Sequence, residues 1–332
     1  MKKTAKTLVF TAIAASVMAF SGVTYAAPEL TVSFGQSNNP GEPHAMAGDY
    51  WSKIVAEQSG GKMELIHYPS DQLGSKSDCI DQMLMGEAVI APLNATQFAD
   101  LGIPDFGIMM APYLCGSWEE TEKLMSSDLY KNLEKQLEEK GYKVLANNWH
   151  YGVRHTLTKK QVKHPEDLHG MRIRVPNSTP NILMMKAIGA SATPLVMNEI
   201  YPALQQGTID GLENPLTTII GGHWQEVAKY IVLDGHTYDI NSMVCGMSFW
   251  ESLTPEQQNL LVKTAKEAGE YQNKVMEEQS AQARATLEKD GVTFTDANID
   301  EWRKAAESYY TFPEFSNWTP GLYENVKAVL AK

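Results

Sequence analysis

Arg174 stands in the segment R-I-R-V-P-N-S, Arg172 to Ser178, flanked by β-branched residues and followed at once by a rigid Val175-Pro176 corner. Arginine keeps its charge throughout the physiological range and is almost never fully buried unless paired. A stiff corner holds its planar donor fork in one direction, which suits bidentate capture of a carboxylate. The same pattern also serves a structural ion pair with one of the chain's many acidic residues. Arg172, two positions away, shares a face with Arg174 on a strand. The stretch closes at Asp210-Gly-Leu-Glu-Asn-Pro215, where Asp210 and Glu213 read as a turn stabiliser and a helix cap. This chemistry points to binding of an organic acid rather than to catalysis.

Gln36 and Asn94 follow short apolar strands and offer neutral amides, which serve hydroxyls without adding charge. For Asn38 and Asn39 an ordinary Asx turn is the simpler role. Trp149, His150 and Tyr151 lead into Arg154. The Trp149 face suits the apolar side of a sugar ring, and core packing is an equal use for it. His150 reads as a structural histidine. The sequence holds no G-x-S-x-G, H-E-x-x-H, Walker A or G-x-G-x-x-G pattern, and its eight histidines show no metal-ligand spacing. Neither a catalytic site nor a metal or cofactor is expected.

These residues need elements to hold them. Leu30–Phe34, Met63–Tyr68 and Val89–Leu93 read as strands, alternating with helices over His44–Gln58 and Asp78–Met85. That alternation is the signature of an α/β fold, in which loops at the carboxyl ends of strands gather around a ligand. The loops at Gln36–Asn39 and Asn94–Gln97 fit that position. A Glu-, Lys- and Leu-rich helical stretch over 118–140 ends at Gly141, Lys143–Trp149 and Arg154–Thr158 read as two strands, and Met197–Gln206 reads as a helix. Pro255–Lys289 is a very long helical pattern. No linker-like segment divides the chain, so two lobes would be joined by several crossings.

The start of the chain has a separate purpose. Lys2, Lys3 and Lys6 precede an apolar run, Leu8–Phe20, and the small-residue site Thr24-Tyr25-Ala26. This is the pattern of a secretory leader cleaved after Ala26. The chain left is three charges more acidic than the −12 of all 332 residues, which disfavours nucleic acid and anionic membranes as partners. Any positive charge used for a ligand must therefore be local. The three cysteines are odd in number and lack C-x-x-C spacing, so they read as small buried apolar residues. About 300 residues exceed one ordinary core, and two lobes follow.

A set of short motifs carries a family resemblance. Tyr68-Pro69 is followed by Gln72-Leu73-Gly74, and the link from His164 reads H-P-E-D-L-H-G-M-R-I-R-V-P-N. Thr193-Pro194, Glu199-Ile-Tyr201 with Ala203-Leu-Gln205, and Asp210-Gly-x-Glu-Asn-Pro215 come next. In this order and spacing the chain resembles the solute-binding subunits of tripartite ATP-independent periplasmic (TRAP) transporters, the DctP-like family. The resemblance covers essentially all of the chain after the leader.

It implies a two-lobe periplasmic binding-protein fold with an interlobe ligand cleft and one long helix spanning both lobes, here 255–289. Residues 1–26 would be the signal peptide, 27–151 with 240–279 lobe I, and 152–239 with 280–332 lobe II. It implies a monomeric periplasmic receptor delivering a small organic acid to sodium-coupled small and large membrane subunits. Arg174 matches the arginine that bridges the ligand carboxylate. Arg154 matches a second arginine near it, and Asn214 an amide contacting the ligand. Met197 stands where some relatives place an aromatic ring. Arg172 should lie further out, in solvent. Asn94 and Gln97 replace the acidic and basic residues of sialic-acid binders, which favours a uronate, gulonate or diketogulonate. A dicarboxylate or a hydroxy- or oxo-acid is the alternative ligand, and a sensor presenting its closed form to a receptor kinase the alternative role.

Overall fold

The computed structural model describes residues 27–331; the expected leader lies outside the described residues. The strands are β1 Leu30–Gly35, β2 Met63–Tyr68, β3 Val89–Leu93, β4 Tyr142–Thr158, β5 Arg172–Val175, β6 Ser191–Pro194, β7 Gly211–Pro215, β8 Tyr230–Gly246 and β9 Thr293–Asp296. They form one sheet in the order β2-β1-β3-β8-β4-β7-β5-β6, with β9 on β8. Parallel neighbours require crossover connections. Helices Pro43–Gln58 and Lys76–Leu84 accordingly join β1 to β2 and β2 to β3, and Thr179–Ile188 and Ile200–Gln206 do the same at the other end.

The two antiparallel 17-residue strands β4 and β8 run through both ends of the sheet. Side chains alternate across a strand, so each end buries two layers. In the first, Ile90, Met243 and Cys245 pack with Trp51 and Leu261 on one face, while Val89, Ala91 and Val244 pack with Phe98 and Phe106 on the other. In the second, Val232 joins Ile173 and Leu183, whereas Ile231 joins Leu157 and Leu204. The result is the two-lobe α/β architecture, each lobe with its own core.

Two elements differ from the sequence expectation. The strands expected over 143–149 and 154–158 are one strand with register shifts. Gly152, at φ +135, takes the irregular turn of backbone between them, where a Cβ would press on Pro215. The helical run over 118–140 breaks in two because Ser126 ends Trp118–Met125 and the Ser127 hydroxyl caps Asp128–Glu139. The helix Pro255–Lys289 forms as expected, opened by a Thr254–Gln257 capping box. It carries Leu261, Ala265 and Ala268 into the first core and Leu287 into the second. At the chain end, Leu322 and Val326 pack on Ile108 and Leu124, residues on the first lobe's side of the expected boundary. All three cysteines are free.

Candidate functional site

Between the lobes lies a cavity bounded by β-strand ends and by the floor of β4 and β8. Contacts between the lobes close it on two sides. Asn39 Nδ2 donates to the Gly221 carbonyl at 3.0 Å, and Thr179 N donates to the Asp100 carboxylate at 3.2 Å.

Arg174 lines the cavity from β5, with only 4% of its surface exposed. Its Nε and Nη2 both donate to the Leu195 carbonyl, at 2.9 and 2.7 Å. Among the described residues no carboxylate pairs with it. Burial consequently pulls its guanidinium down to about 10. A buried cation without a counter-ion is costly, and an incoming anion relieves that cost.

Arg154 also lines the cavity and is equally buried, but it is already spoken for. Glu213 accepts from its Nε and Nη2, and Asp239 accepts from Nη1 at 2.9 Å. Burial opposes the charge, yet Glu213 and Asp239 raise its pKa above the ordinary arginine value. Glu213 accepts in turn from His236 Nε2 at 3.3 Å, and His236 Nδ1 meets Asp234 at 3.0 Å. The expected turn or cap role of Glu213 is therefore replaced by a buried ion-pair role. Asp210 pairs with Arg172, whose side chain is 47% exposed, in keeping with an outward Arg172.

Asn214 lines the cavity with its Oδ1 buried and without a partner among the described residues, and Asn241 Oδ1 is in the same condition. Buried acceptors are normally satisfied, so such orphans mark where a ligand's donors belong. Asn94 reaches the cavity too, but its amide is engaged. Nδ2 donates to Asp239 at 3.0 Å, and Oδ1 accepts from Thr96 N at 3.1 Å as a helix cap. Asn94 thus holds Asp239 in place. Met197 lies on the cavity wall beside Leu195 and Val196.

Two expected site residues are elsewhere. Gln36 does not line the cavity; its amide accepts from His44 Nδ1 at 2.8 Å and lies 2.6 Å from His67 Nε2. Trp149 is fully buried in the first core, donating Nε1 to the Ala265 carbonyl at 2.9 Å. A strand alternates its faces, and Tyr151 rather than Trp149 turns to the cavity. Asn38, expected to serve only a turn, lines it as well and binds Glu42 Oε2 at 2.6 Å. Asp71, Lys76, Asp239 and Asn241 are lining residues that the sequence reading missed. Asp239 and Asn241 alternate on one face of the strand with apolar Ile240 between them, which is a readable signal. Lys76 opens a helix, where the dipole disfavours a cation, and that anomaly is another.

The chain matches the family described as bacterial extracellular solute-binding protein, family 7, over residues 34–315. It is 30% identical to the 2,3-diketo-L-gulonate-binding periplasmic protein YiaO of Escherichia coli K12, with 84% of each chain aligned. It is 26% identical to the sialic acid-binding periplasmic protein SiaP of Vibrio cholerae, over 84% of this chain and 87% of that one. A TRAP periplasmic solute-binding protein of Actinobacillus succinogenes, solved with bound L-galactonate, superposes with a TM-score of 0.87 at 36% identity, covering 91% of this chain and 99% of that one. One from Ochrobacterium anthropi, with bound L-fuconate, gives 0.87 at 35% with the same coverage. A two-lobe cleft with an unpaired arginine and no catalytic constellation among the described residues agrees with these matches. The chain belongs to family 7 of the bacterial extracellular solute-binding proteins, the periplasmic solute receptors of TRAP transporters, and is a receptor rather than an enzyme.

Proposed function

We propose that this receptor captures a sugar acid in the periplasm, after its leader is cleaved behind Ala26, and hands it to sodium-coupled membrane subunits. The observation that carries this reading is the buried Arg174 fork, which has a carbonyl but no carboxylate among its described partners. The ligand carboxylate supplies the missing charge, in a setting where a bidentate pair is strong. Asn214 Oδ1 and Asn241 Oδ1 accept from the ligand's hydroxyls, and Met197 packs on its carbon chain. Arg154 assists through its field and geometry, held by Glu213 and Asp239. L-galactonate, L-fuconate and 2,3-diketo-L-gulonate, the acids named for three relatives, all combine one carboxylate with several oxygens, which supports the same class.

Binding closes the lobes to the extent that the acid prefers the closed state. A thermal-shift panel on the protein without residues 1–26 tests the proposal, because a ligand specific to the native state raises the melting temperature. L-galactonate, L-fuconate or a related sugar acid should shift it, and the corresponding alditols should not. A shift with alditols alone, or with no acid, would overturn the reading.

A further inference from the structure

Lys76 and Asp71 both line the cavity and have no part in holding the arginines. Lys76 is the first residue of helix Lys76–Leu84, in the first lobe, and lines the same cavity as Arg174 of the second. Its ammonium has no hydrogen bond or ion pair among the described residues. Burial lowers its pKa, Arg154 and Arg174 push the same way, and Asp239 and Asp71 oppose them.

Asp71 is held in the left-handed region at φ 58, directly after Ser70 at φ 55. Two such non-glycine residues in succession are strained, and strain of this kind persists at ligand clamps when the surroundings enforce it. Here the enforcement is backbone bonding: Ser70 N donates to the Asn38 carbonyl and Asp71 N to the Gln36 carbonyl, each at 3.0 Å. The loop thereby presents Asp71 with a buried Oδ1 that has no partner among the described residues.

Charge counting narrows the ligand. Three cations line the cavity, Arg154, Arg174 and Lys76, against two carboxylates, Asp71 and Asp239. Behind the wall, His236 lies between two further buried carboxylates, Glu213 and Asp234, so with His236 charged these eight groups sum to zero. A monocarboxylate then adds one negative charge to a poorly solvated space and a dicarboxylate adds two, which disfavours the dicarboxylate.

We propose that Lys76 and Asp71 are the specificity-determining end of the site: Lys76 Nζ donates to a ligand oxygen, Asp71 Oδ1 accepts from a ligand hydroxyl, and the cleft selects a hydroxylated monocarboxylate over a dicarboxylate or an unsubstituted acid. This rests on Arg174 as the carboxylate anchor.

Titration calorimetry with L-galactonate, galactarate and hexanoate tests it on the parent, Lys76→Met, Lys76→Gln, Asp71→Asn and Arg174→Ala, each checked for an unchanged ligand-free melting temperature. The parent should bind L-galactonate at least tenfold more tightly than galactarate or hexanoate. Lys76→Met and Asp71→Asn should each weaken L-galactonate by roughly 10–100-fold, the range of a hydrogen bond to a charged group. Lys76→Gln, which keeps a donor, should recover part of that loss, and hexanoate should be indifferent to all three. If both Lys76→Met and Asp71→Asn bind L-galactonate like the parent, or if galactarate binds more tightly than L-galactonate and Lys76→Met removes that advantage, the assignment is wrong. In either case a loss of L-galactonate in Arg174→Ala leaves the carboxylate anchor standing, and a silent Arg174→Ala removes the anchor itself.

Discussion

Arg154 on β4 and Glu213 on β7 form a closed bidentate pair, both residues buried and both shut off from solvent at the wall of the ligand cleft. Arg174, on the next strand of the same sheet, has no such partner among the described residues. The same residue type in one cavity is therefore structural in one place and unfilled in the other.

Substitution should separate them. Arg174→Ala should cost about 2–5 kcal/mol of sugar-acid affinity while leaving the urea midpoint of the ligand-free protein close to the parent's, because relief of an uncompensated buried charge offsets the loss of its two hydrogen bonds to the Leu195 carbonyl. Arg174→Lys should restore little, since a point charge lacks the fork. Arg154→Ala strands Glu213 and Asp239 and should cost about 3–5 kcal/mol of stability. Calorimetry and urea melts on the three variants read both effects, and equal behaviour at the two sites would contradict the division of roles.

The network behind Arg154 predicts an alkaline limit. Burial works against a charge on His236, but Asp234 and Glu213 overrule it and hold the imidazolium up at about 9, against an ordinary 6.5. A raised folded pKa stabilises fully below the unfolded value and is lost as pH climbs through the folded one. Unfolding free energies from urea melts should fall between pH 6.5 and 9 by an amount on the order of 3 kcal/mol. His236→Gln should begin less stable and show a flatter profile over that window. A parent profile that stays level there would mean His236 is neutral in the fold.

The parts of this fold that were readable are those where one periodicity runs undisturbed. β2 and β3, and the helix over 255–289, were legible because their apolar spacing and caps agree. β8 was not, since Asp234, His236, Asp239, Asn241 and Ser242 interrupt its apolar pattern. All but Ser242, which meets the Tyr130 hydroxyl, are polar because they face the cleft or its ion-pair network, so the site itself hid the strand. Arg174 was singled out by local chemistry, and it lies buried on the cavity wall. Gln36 and Trp149 were misplaced because their positions fit the cleft while their side chains turn to neighbours distant in sequence, His67 and Ala265. Asp71 depends on two left-handed residues, which no pattern of residue types announced.

Closure should take up a proton. Glu42 sits at the N-cap of Pro43–Gln58, bonds Asn38 Nδ2 and Asn39 N, and lies near the Thr218 hydroxyl of the other lobe. Burial lifts its carboxyl from 4.5 to about 7 in spite of those bonds. Opening the lobes returns it to water and towards 4.5. Affinity for a sugar acid should therefore decline as pH rises from 4.5 to 7 and level off above. Calorimetry near pH 6 in buffers of different ionisation enthalpy should report uptake approaching one proton per ligand. Glu42→Gln should abolish the uptake; if it does not, the proton goes elsewhere.

The same contact makes Gly221 a test of closure that touches no ligand. Its carbonyl accepts from Asn39 Nδ2 of the opposite lobe at 3.0 Å. A methyl built on Gly221 overlaps Cγ and Cδ of Glu42, so the two lobes approach this closely only because the side chain is a hydrogen. No positive φ is needed at this position, and an alanine fits the backbone of helix Leu216–Gly221 once the lobes part. Gly221→Ala should therefore penalise the closed state alone. The ligand-free melting temperature should hold or rise slightly, as alanine favours a helix over glycine. Affinity for L-galactonate should fall at least tenfold, which corresponds to about 1.4 kcal/mol. Small-angle scattering should show the parent contracting on addition of ligand and Gly221→Ala contracting less. A variant that contracts fully and binds like the parent would mean that Glu42 and Gly221 separate in the ligand-bound state, and that the cleft closes along the Asp100–Thr179 side instead.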